Sequence, residues 1–176
     1  MHRIVGGIAS LAQHLTTVAT DPERYRPQAC PHCGRAGVWR HGCYHRKADR
    51  SGGGALNPVA VLRFLCGACM HTCSRLPACI APRRWWDWAM QQAVLVLLLA
   101  GMSLHGCARA SRRDRHTVRR WRDWLQARDE PFAFWLRSRW PELGRAGDFA
   151  AFWRHVIAEL SLREAMAWLD RDLLVP

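Results

Sequence analysis

Apolar residues change their spacing along this chain, and each change marks an element. VWRHGCYHRK (38–47) and VAVLRFL (59–65) read as β-like runs, the second β-branched and apolar, of the length of strands. ADRSGGGALNP, between them, holds the Gly, Asp, Asn and Pro of a flexible loop. Trp85 to Ala100 is apolar almost throughout and predicts a helix, with Gly101 placed to end it in a left-handed conformation. Ser103 is positioned to cap a short helix to about Ala110, Ser111-Arg112-Arg113 to turn the chain, and Asp114 to cap a third helix ending near Ala127. On that helix Val118, Trp121 and Leu125 fall at i, i+3 and i+7, a single stripe for burial. Helical spacing resumes after a break at Pro131. There Asp148 caps a stripe of Phe149, Phe152, Trp153, Val156, Ile157 and Leu160, and Ser161 with Glu164 forms a capping box for a last helix. Residues 1–29 hold one short helix and the turn-rich DPERYRPQ, a lead-in to the rest.

Seven of the eight cysteines lie within 30–80, and four of them are spaced as pairs. Cys30-Pro31-His32-Cys33 and Cys66-Gly67-Ala68-Cys69 each set two thiols three positions apart, the spacing with which one tight turn grips one metal ion. The order is knuckle, strand, loop, strand, knuckle, which matches a zinc ribbon with Cys30, Cys33, Cys66 and Cys69 holding one structural Zn2+. Gly34 and Gly67 supply the permissive turn positions. Cys43, Cys73, Cys79 and Cys107 have no partner at short range and are expected to pack as small apolar residues. His32, His41, His45 and His71 lie close by, so a substituted ligand set stays open. Four sulfurs around one ion leave no position for a reactive water, so the metal is expected to hold the fold and to do no chemistry.

Charge adds a partner. The chain has 26 Lys+Arg against 14 Asp+Glu, a formal +12, and the excess is uneven. Residues up to Arg128 carry 20 basic and 6 acidic side chains, whereas Asp129 onward carries 6 and 8. Only Lys47 is a lysine; the arginine fork suits phosphate oxygens and guanine edges. The face of the third helix opposite its apolar stripe holds Arg115, His116, Arg119, Arg120 and Arg122. Three helices ending in such a helix read as a helix-turn-helix, with double-stranded DNA as the partner. Arg112, Arg113, Arg115, Arg119, Arg120 and Arg122 are the expected phosphate and base contacts, and His116 and Thr117 begin the helix where base-reading side chains sit. The mildly acidic, tryptophan-rich end, with Trp135, Trp140, Trp153 and Trp168, is expected to fill a core or to meet a protein partner, a transposase or a second copy.

The fold expected is therefore mostly α with a small β zinc ribbon. A lead-in over 1–29 precedes the ribbon over 30–80, a helix-turn-helix domain over 82–128 and a C-terminal helical segment over 129–176. MHRIVGGIASLAQHL lacks the pattern of a signal peptide, and the longest apolar run falls short of the roughly 18 residues that cross a bilayer. Paired cysteines without a leader fit a reducing compartment, and a basic DNA partner fits the cytoplasm and its nucleoid. No Gly-rich phosphate loop and no Ser/His/Asp set stands out, and Asp170 and Asp172 are expected to be solvated. No catalytic residues and no small-molecule substrate are expected.

The stretch CPHCG…RHGCYHRK…LRFLCGACMHTCSRLP followed by LLLAGMSLHGCARASRRDRHTVRRWRDWL resembles the zinc-ribbon and helix-turn-helix region of bacterial insertion-sequence transposases and of short transposase-related proteins. The resemblance spans about residues 28 to 128. It implies that the four knuckle cysteines ligate zinc and that the second helix of the motif reads DNA. The sequence departs from that family at Cys73, where an aromatic residue is usual, and at Ser111-Arg112-Arg113, where Leu, Gly and an aliphatic residue are usual. A transposase cutting domain needs three spaced carboxylates on well over 100 residues, and only 48 follow Arg128. The expected role is a non-catalytic accessory or regulator of a mobile element, or alternatively a module that docks on a transposase.

Overall fold

The computed structural model describes residues 4–82, 86–171, 173 and 175. About half of the chain is helical, in α1 (Leu11–Thr20), α2 (Trp88–Leu99), α3 (Leu104–Ser111), α4 (Arg115–Ala127), α5 (Asp129–Arg139) and α6 (Phe149–Leu169). The strands are β1 (Ile4–Val5), β2 (Val38–Arg46), β3 (Val59–Cys66), β4 (Thr72–Cys73) and β5 (Leu76–Pro77). They form a sheet of order β2-β3-β4 and a separate parallel pair β1-β5. Two compact units result: one runs to Asp87 and takes in the residues from Met166, and the other is Trp88–Ala165.

In the first unit β3 is the central strand, and β2 pairs with it antiparallel from Val38 opposite Cys66 to Arg46 opposite Val59. The register shifts between Arg40 and Cys43, where Gly42 takes φ +77°, a glycine-borne bulge at the sheet edge. Phe64, Leu62 and Val38 join Val5, Ile8 and Tyr25 in one buried cluster, to which Cys30 and Cys66 also belong. Helix α1 packs on β3 through a buried polar contact. His14 Nε2 donates to the Ala60 carbonyl at 2.7 Å, so in the neutral ring Nδ1 accepts from the Tyr25 hydroxyl at 2.6 Å. Burial lowers the His14 pKa, against the opposing pull of the Ala60 carbonyl.

Several expectations change here. The glycine-rich segment between the strands is tied down: the Asn57 side chain accepts from the Asp49 backbone N–H and donates to its carbonyl, while the Asp49 carboxylate accepts from Ser51 and Leu56. Asp170 is not solvated. It is 1% exposed and accepts from the Ile4 backbone N–H at 2.7 Å, because β1 pairs only with β5 among the described residues and its other donor needs an acceptor. Asp172 lies outside the described residues. Cys43 does not pack as an apolar residue; it stands exposed on β2, the edge strand.

The second unit is helical. Gly101 ends α2 at φ +90°, the Ser103 hydroxyl accepts from the Gly106 N–H, and the Asp114 carboxylate accepts from the His116 N–H. These three caps set the ends of α2, α3 and α4, which pack on one another. Val118, Trp121 and Leu125 are buried as one stripe, and Cys107 on α3 is buried too. The chain breaks at Arg128 and α5 begins at Asp129, so Pro131 sits inside a first helical turn, where its missing N–H costs nothing. Helix α6 is interrupted at Ser161, at φ +62°. The Leu162 N–H freed there donates to the Gln92 side chain at 2.7 Å, and the Ser161 hydroxyl accepts from the Glu164 N–H. Trp153 is fully buried with its indole N–H donated to Asp129, whereas Trp135, Trp140 and Trp168 are half-buried. The expected first turn of the apolar helix at Trp85 lies outside the described residues, and none of the helices among those residues is long and apolar enough to cross a membrane.

Candidate metal centre and basic helix

Both cysteine turns use the same backbone scheme. In the first, the Cys30 N–H donates to the Arg35 carbonyl and the Gly34 N–H to the Cys30 carbonyl; in the second, the Cys66 N–H donates to the His71 carbonyl and the Met70 N–H to the Cys66 carbonyl. Four residues after its leading cysteine each turn needs a left-handed residue, which is Gly34 at φ +73° in the first and Met70 at φ +57° in the second. Gly67, expected where the turn needs a small and permissive residue, serves through its size. A Cβ there would stand 3.3 Å from the Trp39 indole nitrogen, so its smallness lets the turn lie against β2.

The turns bring all four sulfurs together, with the ligand atoms of Cys30, Cys33, Cys66 and Cys69 within 4.8 Å of one another. Cys30 and Cys69 are 3.6 Å apart at sulfur, and Cys33 and Cys66 are 3.7 Å apart. Sulfurs at 2.3 Å from a tetrahedral ion would be about 3.8 Å apart, so the donor set and its spacing fit a closed four-thiolate site. The Cys69 backbone N–H pulls the Cys66 thiol down to about 6. Cys69 goes the other way: the His71 backbone N–H pulls it down, but burial and the neighbouring sulfurs push it up to about 12. Four sulfurs packed this tightly could hold a metal ion among them.

Cys73 and Cys79 pack partly buried against the clusters of the first unit, as expected of small apolar residues. The histidines divide. His32 and His71 stand beside the sulfurs with their rings stacked at 3.7 Å, while neither His41 nor His45 falls in a ligand cluster among the described residues.

In the second unit the predicted contact residues lie on α4 and the turn before it. Arg112, Arg115, His116 and Arg120 are exposed, and Arg113, Thr117, Arg119 and Arg122 are half-buried. Arg113 Nε donates to the Ser111 carbonyl, and Arg122 is held by Asp123 at 2.7 Å. Arg112 occupies the left-handed C-cap of α3 at φ +54°, and the Arg113 N–H closes the turn on the Ala108 carbonyl. A helix C-terminus that usually recruits glycine is thus made by arginine.

Residues 30–121 match DUF6431, a domain of unknown function. That is more than half of the 176 residues. The chain belongs to the DUF6431 family. No curated protein and no solved structure matches it. The DUF6431 region begins on Cys30, the first cysteine of the cluster, and ends on Trp121 in the buried stripe of α4. It therefore takes in the whole four-sulfur cluster and the first two turns of the basic helix.

Proposed function

We propose that this DUF6431 protein is a DNA-binding protein whose four-cysteine cluster is a zinc ribbon holding one structural Zn2+ and whose α3 and α4 form a helix-turn-helix. In this reading it is related to the insertion-sequence transposases it resembles, lacks catalytic chemistry of its own, and acts as an accessory or regulator of a mobile element. The observation that carries the reading is the division of α4. Val118, Trp121 and Leu125 are buried, while Arg115, His116 and Arg120 are exposed on the same helix. Arg112 and Arg113 in the turn and Arg119, Arg120 and Arg122 along the helix serve the phosphates, and Arg115, His116 and Thr117 meet base edges. Zinc suits a set of four thiolates at this spacing, and it closes the two turns on each other.

A duplex-binding titration at two salt concentrations tests this. Arg120→Ala should weaken binding to all sequences alike and make the salt dependence shallower by about one ion, whereas Thr117→Ala should alter preference among sequences. Binding that ignores both substitutions would remove α4 as the reading element.

A second reading, a module docking on a transposase or another copy, is favoured by Phe134, which is 67% exposed beside Trp135 on α5. Capture of a transposase that survives high salt, with no affinity for duplex DNA, would select it.

A further inference from the structure

One member of the four-sulfur cluster also belongs to a second group of ligand atoms. A ring nitrogen of His32, a ring nitrogen of His71 and the Cys69 sulfur lie within 4.8 Å of one another. The two histidines come from different places in the two turns, His32 between the cysteines of the first and His71 two residues past the last cysteine of the second. His71 Nδ1 lies 2.9 Å from the Cys69 carbonyl. A carbonyl only accepts, so Nδ1 carries the proton and Nε2 keeps its lone pair for a metal. This is the arrangement by which metal-bound histidines are oriented elsewhere, the second nitrogen held by a backbone oxygen.

Four thiolates around a divalent ion carry two negative charges in excess, and a metal-bound thiolate still has lone pairs. The Cys69 sulfur can therefore bridge to a second cation, and two imidazoles are suitable further ligands for zinc or cobalt. Both rings are exposed. They lie 11° from parallel with centroids 3.7 Å apart, and each lone pair lies in its ring plane, so the rings must tilt toward each other to share an ion. A cavity of about 450 Å³ opens beside them, lined by Tyr44, Arg46, Thr72 and Ser74 as well as by His32 and His71.

We propose that His32, His71 and the Cys69 sulfur bind a second divalent transition-metal ion, with Cys69 as a bridging thiolate and the fourth coordination position open to this cavity. The proposal rests on the reading that the four cysteines hold zinc. The alternative role for the imidazoles is to stand beside a single zinc site as polar neighbours without binding metal.

The test uses the full chain, stripped of metal and reconstituted with Zn2+ and separately with Co2+, with metal counted by mass spectrometry after gel filtration. Two ions per chain are expected. The double variant His32→Ala/His71→Ala should hold one, with its circular dichroism unchanged, since both side chains are on the surface. Cobalt should show a second set of visible bands in the wild type that the variant lacks. One ion in both proteins overturns the second site and leaves the four-cysteine reading standing. Two ions in both assigns the second ion to other ligands and also overturns it. No bound ion in either overturns both readings.

Discussion

Stripping the metal from the four-cysteine site is expected to melt the first unit and spare the second. The magnitude follows from the span of chain that the site closes. Cys30 and Cys69 meet across 39 residues, and a cross-link of that length removes about 4 kcal/mol of unfolded-state freedom at 25 °C. That is a large share of the 5–15 kcal/mol by which domains are usually stable. For a unit of this size each kcal/mol moves the midpoint by about 4–8 °C, so the first transition should fall by roughly 16–32 °C on chelation. Cys30 and Cys66 sit in the same buried cluster as Phe64 and Leu62, so slackening the turns also loosens the core behind them. The second unit contains none of the four ligands. Calorimetry with and without a chelator measures the shift. Hydrogen exchange locates it: amides of 59–66 should lose protection while those of 115–127 keep theirs. A shift under about 5 °C, or equal loss in both segments, would refute the claim that the metal holds this unit.

Other expectations concern single side chains. Trp121, 4% exposed at the centre of the α4 stripe, should cost the second unit about 3–5 kcal/mol when changed to Ala; a denaturant midpoint that hardly moves would contradict its burial. Met70→Gly and Arg112→Gly each relieve a left-handed residue bearing a side chain and should raise stability by up to ~1 kcal/mol, net of the freedom glycine adds to the unfolded chain. Loss of stability in either variant would mean that these side chains contribute more by contact than they cost in backbone strain. His14 is buried with both ring nitrogens engaged, and burial lowers its pKa. The unfolded chain therefore takes up a proton first as pH falls below its ordinary value near 6.5, and the stability present above that pH is lost on the way down. Between pH 7 and 5 the wild type should lose stability more steeply than His14→Gln, which keeps a donor for the Ala60 carbonyl but does not titrate; metal loss in acid is common to both. Equal slopes would remove His14 from the effect.

What the sequence shows best is what depends on near neighbours. The Ser103 and Asp114 caps, the Gly101 stop and the stripe of Val118, Trp121 and Leu125 are local patterns, and each stands where its spacing places it. The cysteine spacing likewise brings four sulfurs to one point, although the residue that bends the second turn is Met70, which no propensity would nominate. What sequence reading misses is settled at long range. Asp170 resembles any polar residue in a polar stretch of sequence until the fold brings it to the Ile4 N–H on β1, whose one strand partner among the described residues is β5. His14 lies on a short helix of mixed composition, and only the approach of β3 makes it a core residue. The glycine-rich loop reads as slack because its order comes from one Asp and one Asn eight residues apart. Four histidines lie near the cysteines in sequence, and only the fold stacks His32 on His71.

The most direct test of the central claim is a selection from a pool of random duplexes by the zinc-loaded full chain, followed by competition with unselected DNA. A DNA reader built on α4 should enrich a recurring site bound about 10³-fold or more tightly than bulk duplex, with that preference weakened by Thr117→Ala or Arg115→Ala. A pool that stays random after repeated rounds, with binding that only follows salt, would contradict the account and leave α4 a charged surface.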